Sequence, residues 1–145
     1  MSRPCVFCSL LHDEGPATWL HRGDHASALL PLPSGRLAPG HTLVIPSEHV
    51  LGVQDAPAEV LRDTVLLVQR VARSLTTALD AAGVNVLNAS GPHTGQSVEH
   101  LHFHVVPRWE GDGLDTWLQG RSSRMVADDW LHTVRSALRD SLSQN

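Results

Sequence analysis

The sequence contains no lysine, and its 11 arginines are outnumbered by 15 acidic residues, which leaves a formal net charge of −4. This balance argues against non-specific binding to nucleic acid, because such binding needs a basic surface. It still allows a small anionic ligand held by a few local groups. A phosphoryl-type group would then be neutralised by amide and hydroxyl side chains, backbone N–H groups and protonated imidazoles.

Long apolar runs are also absent from the sequence. No run approaches the roughly 20 residues of a transmembrane helix, and the first five residues, Met-Ser-Arg-Pro-Cys, lack the apolar core of a signal peptide. We therefore expect a cytoplasmic protein without a membrane partner. The sequence has only two cysteines, Cys5 and Cys8. In such a protein, Cys-x-x-Cys spacing favours metal ligands or redox thiols over a structural disulfide.

The length of 145 residues, 41% of them hydrophobic, predicts a single domain over residues 1–145 with a buried core. An apolar stripe at helical spacing predicts a long helix over residues 59–82, with Asp55 as its N-cap and Gly83 as its stop. A C-terminal helix is expected over residues 128–141. Five short apolar segments bounded by turn residues predict strands. These segments are residues 18–21, 25–30, 41–45, 84–87 and the segment that begins at His100. Together they predict an α+β fold, with a helix on one face of the sheet.

Three histidines alternate with three apolar residues in the run His100-Leu101-His102-Phe103-His104-Val105. Alternation predicts a strand whose imidazoles share one face while its apolar side chains pack on the other. Histidines do not help such a strand to fold, because a buried imidazole needs a hydrogen-bond partner. Two chemistries suit the imidazole face: zinc ligation, and nucleophilic or acid–base catalysis near neutral pH.

Four segments of the chain resemble motifs of the histidine-triad family. They are Cys5–Cys8, Gly40–Pro46, Gly95–Val98 and His100–Val106. The matches run in order over most of the chain. Together they resemble the zinc-containing prokaryotic-type branch of the family. The resemblance implies a five-stranded antiparallel sheet with one long helix and a C-terminal helix. It also implies an N-terminal zinc hook over residues 1–22 and a homodimer.

The resemblance also implies a reaction. The middle histidine of the family's triad is the nucleophile, and the matching residue here is His102. It would attack the α-phosphorus of a nucleotide conjugate, such as a nucleoside phosphoramidate or a dinucleoside polyphosphate. Water or another acceptor would then release the nucleotide from the nucleotidyl-histidine intermediate. His104 and His41 match the other catalytic histidines. The positions that line the family's phosphate and leaving-group site match Asn88, Gln96 and Ser97, although Asn and Ser are also common turn residues.

The metal site implied by the resemblance is a Cys₂His₂ set made of Cys5, Cys8, His49 and His100. One structural zinc ion there would tie the N-terminal hook to the catalytic strand and leave the other two triad histidines free. The alternative for the cysteines is a pair of free or redox thiols.

One segment departs from the family pattern. Many members carry an Asp in the second strand that holds the ribose hydroxyls, but the matching region here, residues 28–33, contains no carboxylate. Either other groups hold the ribose, or the preferred substrate is not an ordinary adenosine nucleotide. Arg36, in the loop that follows, is a candidate anion contact.

Two other functions remain open at this point. The first is a zinc-stabilised nucleotide-binding module with little turnover, which would not need an intact triad. The second is a metallohydrolase whose catalytic zinc is bound by His100, His102 and His104. That enzyme would not need cysteines, so zinc that depends on Cys5 and Cys8 would argue against it.

Overall fold

The computed structural model describes residues 4–144, so the first three residues of the expected hook lie outside the described residues. The helices are α1 (Val6–Leu11), α2 (Ala58–Leu79) and α3 (Trp130–Leu142), and the strands are β1 (Trp19–Arg22), β2 (Ala26–Leu29), β3 (Thr42–Pro46), β4 (Gly83–Leu87) and β5 (Phe103–Arg108). A single turn of 3₁₀ helix, Pro33–Gly35, lies in the loop after β2. The predicted α+β class is confirmed.

The five strands form one antiparallel sheet in the order β1-β2-β3-β5-β4. The central strand β3 places Leu43 opposite Leu29 of β2 and opposite His104 of β5. Because side chains alternate along a strand, Val44 of β3 points to the opposite face from Leu43 and Ile45. The sheet therefore has two distinct faces.

Helix α2 covers one face of the sheet. The buried residues of this core come from α2 and from three strands: Ala28, Val44, Val68, Val71, Leu75 and Val105. The α2 members recur every three to four residues, which is the spacing of the predicted stripe. Burying each such Val or Leu contributes about 1.5–3 kcal/mol relative to its exposure. This regular packing fixes α2 on the sheet.

Helix α1 covers part of the other face. Phe7 packs there with Leu29, Leu43 and Ile45, all of them buried. The sequence did not predict α1, because its six residues are too few to show a helical period. The Cys5 side chain caps this short helix by accepting a hydrogen bond from the backbone N–H of Cys8 (3.4 Å).

The predicted N-cap of the long helix was wrong. Helix α2 begins at Ala58, directly after Pro57. The Asp55 carboxylate instead accepts hydrogen bonds from the backbone N–H groups of Leu51 (3.0 Å) and Gly52 (2.8 Å). Asp55 therefore closes the loop ahead of α2, a common use of Asp in turns.

The predicted stop of the long helix was also wrong. Helix α2 ends at Leu79, and Asp80 adopts the left-handed conformation with φ of 52°. Gly83 instead begins β4. The chain turns into the sheet at Ala82, whose N–H donates to the Arg108 carbonyl (2.9 Å).

The histidine strand begins later than predicted. Strand β5 begins at Phe103, so His100 and His102 precede the regular ladder. The backbone N–H of Leu101 instead donates to the Val50 carbonyl (2.7 Å), outside the sheet. The alternation still holds for the apolar side chains, since Leu101 and Phe103 both pack with buried residues near the start of α2.

The chain divides into two compact units, Met1–Asp115 and Thr116–Asn145. The first contains the sheet with α1 and α2. The second contains α3, which starts two residues later than predicted, and its large apolar side chains are exposed. They are Trp130, Leu131, Val134, Leu138 and Leu142. Within residues 4–144, no helix has both the length and the apolar character that a membrane span requires.

Candidate functional site

Four metal-binding side chains converge beside the N-terminus of α1. The sulfurs of Cys5 and Cys8 and the Nδ1 atoms of His49 and His100 all lie within 4.8 Å of one another. The two Nδ1 atoms are 3.2 Å apart, and the measured sulfur-to-Nδ1 distances are 3.3, 3.4 and 3.6 Å. Tetrahedral zinc at its usual bond lengths would separate its ligand atoms by about 3.3–3.8 Å. The donor set and the spacing therefore fit one structural zinc ion, as predicted.

The Cys8 thiol must lose a proton to bind a metal ion. Burial raises the pKa of the Cys8 thiol, and with the hydrogen bond and charge of Cys5 the pKa reaches about 11. A thiol with this pKa stays protonated near neutral pH unless a cation stabilises its thiolate. Metal binding at this cluster should therefore release a proton.

His100 is oriented for ligation by the end of β3. The ring is fully buried, and its Nε2–H donates to the Pro46 carbonyl oxygen (2.9 Å). The unprotonated Nδ1 consequently faces the cysteines, an arrangement common for ligating histidines. Burial lowers the pKa of His100; the Pro46 hydrogen bond opposes this shift, and the charges of His49 and His102 add to it.

His102 is held through both its ring and its backbone. Its Nδ1–H donates to the His100 carbonyl oxygen (2.8 Å), and its own carbonyl accepts a hydrogen bond from Nδ2 of Asn88 (2.9 Å). A neutral imidazole has one N–H, so Nε2 of His102 keeps its lone pair. The ring is 4% exposed. The tautomer with the proton on Nδ1 and a free lone pair on Nε2 is the one that a nucleophilic imidazole needs.

His41 and His104 form a second ordered pair. The backbone N–H of Leu37 donates to Nδ1 of His41 (3.1 Å), which places the His41 proton on Nε2. That Nε2–H donates to Nδ1 of His104 (2.9 Å). His104 then has its proton on Nε2, where it can serve as a hydrogen-bond donor.

Burial keeps this pair neutral. It lowers the pKa of His41, and it lowers the pKa of His104 to about 4, with the charges of His102 and His41 adding to the His104 shift. Both rings are therefore uncharged near pH 7, which is the state that the tautomer assignment requires.

Two of the three expected phosphate-site side chains are engaged in loop contacts. The Asn88 amide bonds the His102 carbonyl and also accepts from the Ser90 hydroxyl (2.7 Å). Gln96 accepts from the Gly91 N–H (2.8 Å) and donates to the Leu51 carbonyl (2.7 Å). These bonds join the loop before β5 to the loop before α2.

The third side chain, Ser97, is exposed, and the described residues provide no hydrogen-bond partner for its hydroxyl. It is therefore available to a ligand. Arg36, the candidate anion contact, uses its Nε–H to bond the Pro31 carbonyl (2.9 Å).

The metal cluster and the triad are separate in space apart from His100. His100 joins the cysteines, whereas Nδ1 of His102 faces a carbonyl and Nδ1 of His104 faces His41. Within the described residues, no other cluster of three or more His, Cys, Asp or Glu donors could hold a metal ion. This arrangement favours structural zinc over zinc on the three triad histidines.

Several groups at the site carried no clear sequence signal. The orienting partners of the histidines are backbone groups of Leu37, Pro46 and His100, and a backbone group leaves no residue-type signature. The Ser90 hydroxyl bridges Asn88 and the N–H of Val53 (3.1 Å), which only the loop conformation reveals.

Comparison with known proteins agrees with this geometry. The family model of the HIT domain matches residues 13–111. The Bacillus subtilis protein called "Protein hit" is 30% identical over 146 residues, covering 97% of this chain and 96% of that protein.

Two solved structures extend the comparison. A Zn-bound histidine triad family protein from Mycobacterium smegmatis superposes with a TM-score of 0.71 at 32% identity, covering 97% of each chain. A histidine triad nucleotide-binding protein from Candida albicans gives a TM-score of 0.73 at 25% identity, covering 97% of this chain and 99% of that one. Because the family model matches residues 13–111, most of the chain, and the Bacillus subtilis relative is 30% identical over nearly its whole length, the chain belongs to the HIT domain family.

Proposed function

We propose that the protein is a nucleotidyl hydrolase or nucleotidyltransferase that cleaves nucleotide conjugates at the α-phosphate. The observation that supports this most strongly is the hydrogen bond from Nδ1–H of His102 to the His100 carbonyl, which leaves Nε2 of His102 unprotonated. Membership of a family with nucleotide-binding and hydrolase-type functions supports the substrate class, as does the nucleotide-binding protein of similar fold from Candida albicans.

In the first step, the Nε2 lone pair of His102 forms a bond to the α-phosphorus. The bond from that phosphorus to the leaving group breaks, and its electron pair departs with the leaving group. The amine leaving group of a phosphoramidate takes up a proton from solvent as it departs. The His102 ring keeps its Nδ1 proton and becomes positively charged, and the His100 carbonyl stabilises that charge. His104, which holds its proton on Nε2, donates a hydrogen bond to the leaving group or the phosphate.

In the second step, an oxygen nucleophile attacks the phosphorus from the opposite side. The P–N electron pair returns to Nε2 of His102, and the ring regains its starting tautomer. Where water is the acceptor, its released proton passes to solvent or buffer. The histidines end the cycle in their initial protonation states, as turnover requires.

The phosphate oxygens need stabilisation from groups other than lysine. We propose that Ser97 and the backbone N–H groups of the Gly91–Gly95 loop supply it, with Asn88 and Gln96 holding that loop in place. A structural zinc ion on Cys5, Cys8, His49 and His100 would cross-link the hook to the histidine segment, which stabilises this geometry.

We also propose a homodimer. Strand β4 forms one edge of the sheet, and Val86 on it is exposed together with Val65 and Leu79 of α2. A second copy could cover these apolar side chains. Sedimentation equilibrium at micromolar concentration should show a mass of two chains, and a mass of one chain would reject the dimer.

The experiment that tests the function is a substrate panel. Zinc-loaded protein is incubated with dinucleoside polyphosphates and nucleoside phosphoramidates, with and without inorganic phosphate, and the products are separated by chromatography. A nucleoside monophosphate product indicates a hydrolase, and a product that appears only with added phosphate indicates transfer. Tight nucleotide binding without any turnover would reject the proposal and support the binding module.

Three matched variants separate the roles of the triad. His102→Asn should abolish turnover while keeping nucleotide binding. His104→Asn should impair turnover most for conjugates with poor leaving groups. His100→Asn should lose zinc and stability. Loss of zinc in all three variants would instead indicate a metal site on the triad.

A further inference from the structure

Phe7 stands between the two cysteines of the metal cluster. It is the second residue of α1, it is 6% exposed, and it lies in the Cys5-Val6-Phe7-Cys8 turn. The ligands on either side of Phe7 would be held by the metal, so this turn has little freedom once the site is filled. The position of the Phe7 ring should therefore depend on whether the metal site is filled.

The Phe7 ring contacts His100, which belongs to the metal cluster, and His102, which belongs to the triad alone. Its centroid is 5.7 Å from that of His100 at an interplanar angle of 89°, and 5.3 Å from that of His102 at 73°. These are edge-to-face contacts of the kind that aromatic rings favour. The His102 ring also contacts the His104 ring, at a centroid distance of 5.2 Å and an interplanar angle of 62°. Two rings therefore contact the His102 imidazole.

We propose that Phe7 is a positioning residue that couples the metal hook to the nucleophile: its ring edge, together with the His104 ring, fixes the rotation of the His102 imidazole and hence the direction of Nε2.

The hydrogen bond to the His100 carbonyl cannot do this alone. It fixes the position of Nδ1, but the ring, which is also attached at Cβ, can still tilt about the line from Cβ to Nδ1, and this tilt moves Nε2. Contact with the Phe7 and His104 rings restricts this tilt. Misplacement of a reacting atom by about 1 Å can cost 10²-fold in rate, so a small loosening at His102 should appear mainly in kcat. This effect on turnover rests on the proposed nucleophilic role of His102, whereas the restriction of the ring does not.

The test compares Phe7→Leu with two matched variants in the zinc-loaded protein. Phe7→Leu removes the ring edge but keeps an apolar side chain. Phe7→Tyr keeps the ring edge and should rescue the function. Val6→Ala changes a half-exposed residue between the same two cysteines. It controls for any effect of a substitution in the Cys5–Cys8 turn that does not involve the Phe7 ring. If Phe7→Leu does not fold, Phe7→Met takes its place.

Three measurements are made on each variant: zinc per chain, kcat and KM for a hydrolysed dinucleoside polyphosphate, and exchange broadening of the histidine ring ¹³C–¹H signals by relaxation dispersion. The His102 signals are assigned by their disappearance in His102→Asn. A changed chemical shift alone does not count, because removing an aromatic ring alters shifts without any motion.

For Phe7→Leu we expect wild-type zinc content, kcat reduced by about tenfold with KM within about twofold, and exchange broadening at His102 but not at His41. Phe7→Tyr and Val6→Ala should stay near wild type. If Phe7→Leu has the kcat of the wild type and sharp His102 signals, the proposal is overturned. It is also overturned if kcat of Phe7→Leu falls only in samples that have lost zinc. If the wild-type protein itself has no turnover, the proposed function fails, and the broadening of His102 still decides whether Phe7 holds the ring.

Discussion

The two faces of the sheet are held together by different kinds of contact. On the α2 face, apolar side chains such as Val68, Val71 and Leu75 pack in a regular stripe against the strands. On the histidine face, short irregular segments meet, and their side chains are oriented by single backbone groups such as the Pro46 and His100 carbonyls. Stability should therefore depend on both faces, but chemistry on the histidine face alone.

The largest expected effect on stability is at the metal cluster. Cys8→Ser removes one of four ligands, and a structural zinc site of this type contributes on the order of 10 kcal/mol of apparent binding free energy. We expect the zinc content to fall and the melting temperature to drop by more than for any single core truncation. Metal analysis and thermal unfolding, with and without chelator, check this prediction.

A chelator should mimic Cys8→Ser in the wild-type protein and have little further effect on the variant. A zinc-free wild type that melts at the same temperature with or without chelator would show that the cluster is not a structural metal site.

A smaller effect is expected on the α2 face. Leu75→Ala leaves a cavity in the regular core and should lower the free energy of unfolding by about 2–5 kcal/mol. Because Leu75 lies on the opposite face from the histidines, kcat at 25 °C should stay within about twofold of wild type. Urea unfolding and steady-state kinetics measure both quantities. A large loss of kcat in folded Leu75→Ala would show that catalysis on the histidine face depends on packing on the α2 face.

The smallest expected effect is a pH dependence at His104. Burial lowers the pKa of His104 to about 4, below its unfolded value, so the stability gained from keeping the ring neutral is fully present above about pH 6.5. It is lost as the pH falls toward 4, because the unfolded state then binds the proton first. Wild type should therefore lose on the order of 2 kcal/mol of unfolding free energy relative to His104→Asn between pH 6.5 and pH 4.

The control for this prediction is His93→Asn, which alters an exposed loop histidine. It should follow the wild-type pH profile. If the difference between wild type and His104→Asn is the same at pH 4 and pH 6.5, then the ring is not held neutral by the fold.

The α2 face was largely predictable from the sequence, because periodic apolar residues report which side of an element is buried. The stripe over residues 59–82 predicted the long helix, and short apolar segments bounded by turn residues predicted the strands. The ends of these elements were less predictable. Asp55 accepts hydrogen bonds from loop N–H groups rather than capping the helix. The helix ends at a left-handed Asp80 rather than at Gly83.

The histidine face was predictable only in its residue types. The resemblance implied the ligands Cys5, Cys8, His49 and His100, and their convergence is confirmed. No spacing rule would have joined Cys8 to His49, which lies 41 residues later. The tautomers of His41, His100 and His102 depend on backbone groups, which the sequence does not distinguish from one position to the next.

The central claim, that His102 is a nucleophile, is tested most directly by trapping its intermediate. Zinc-loaded protein is quenched with base during turnover of a dinucleoside polyphosphate, and the intact mass and the peptide map are measured. We expect one nucleotidyl group per active chain, located on His102, stable in base, labile in acid and absent from His102→Asn. Turnover at the wild-type rate by His102→Asn, or a nucleotidyl group on another residue, would contradict it.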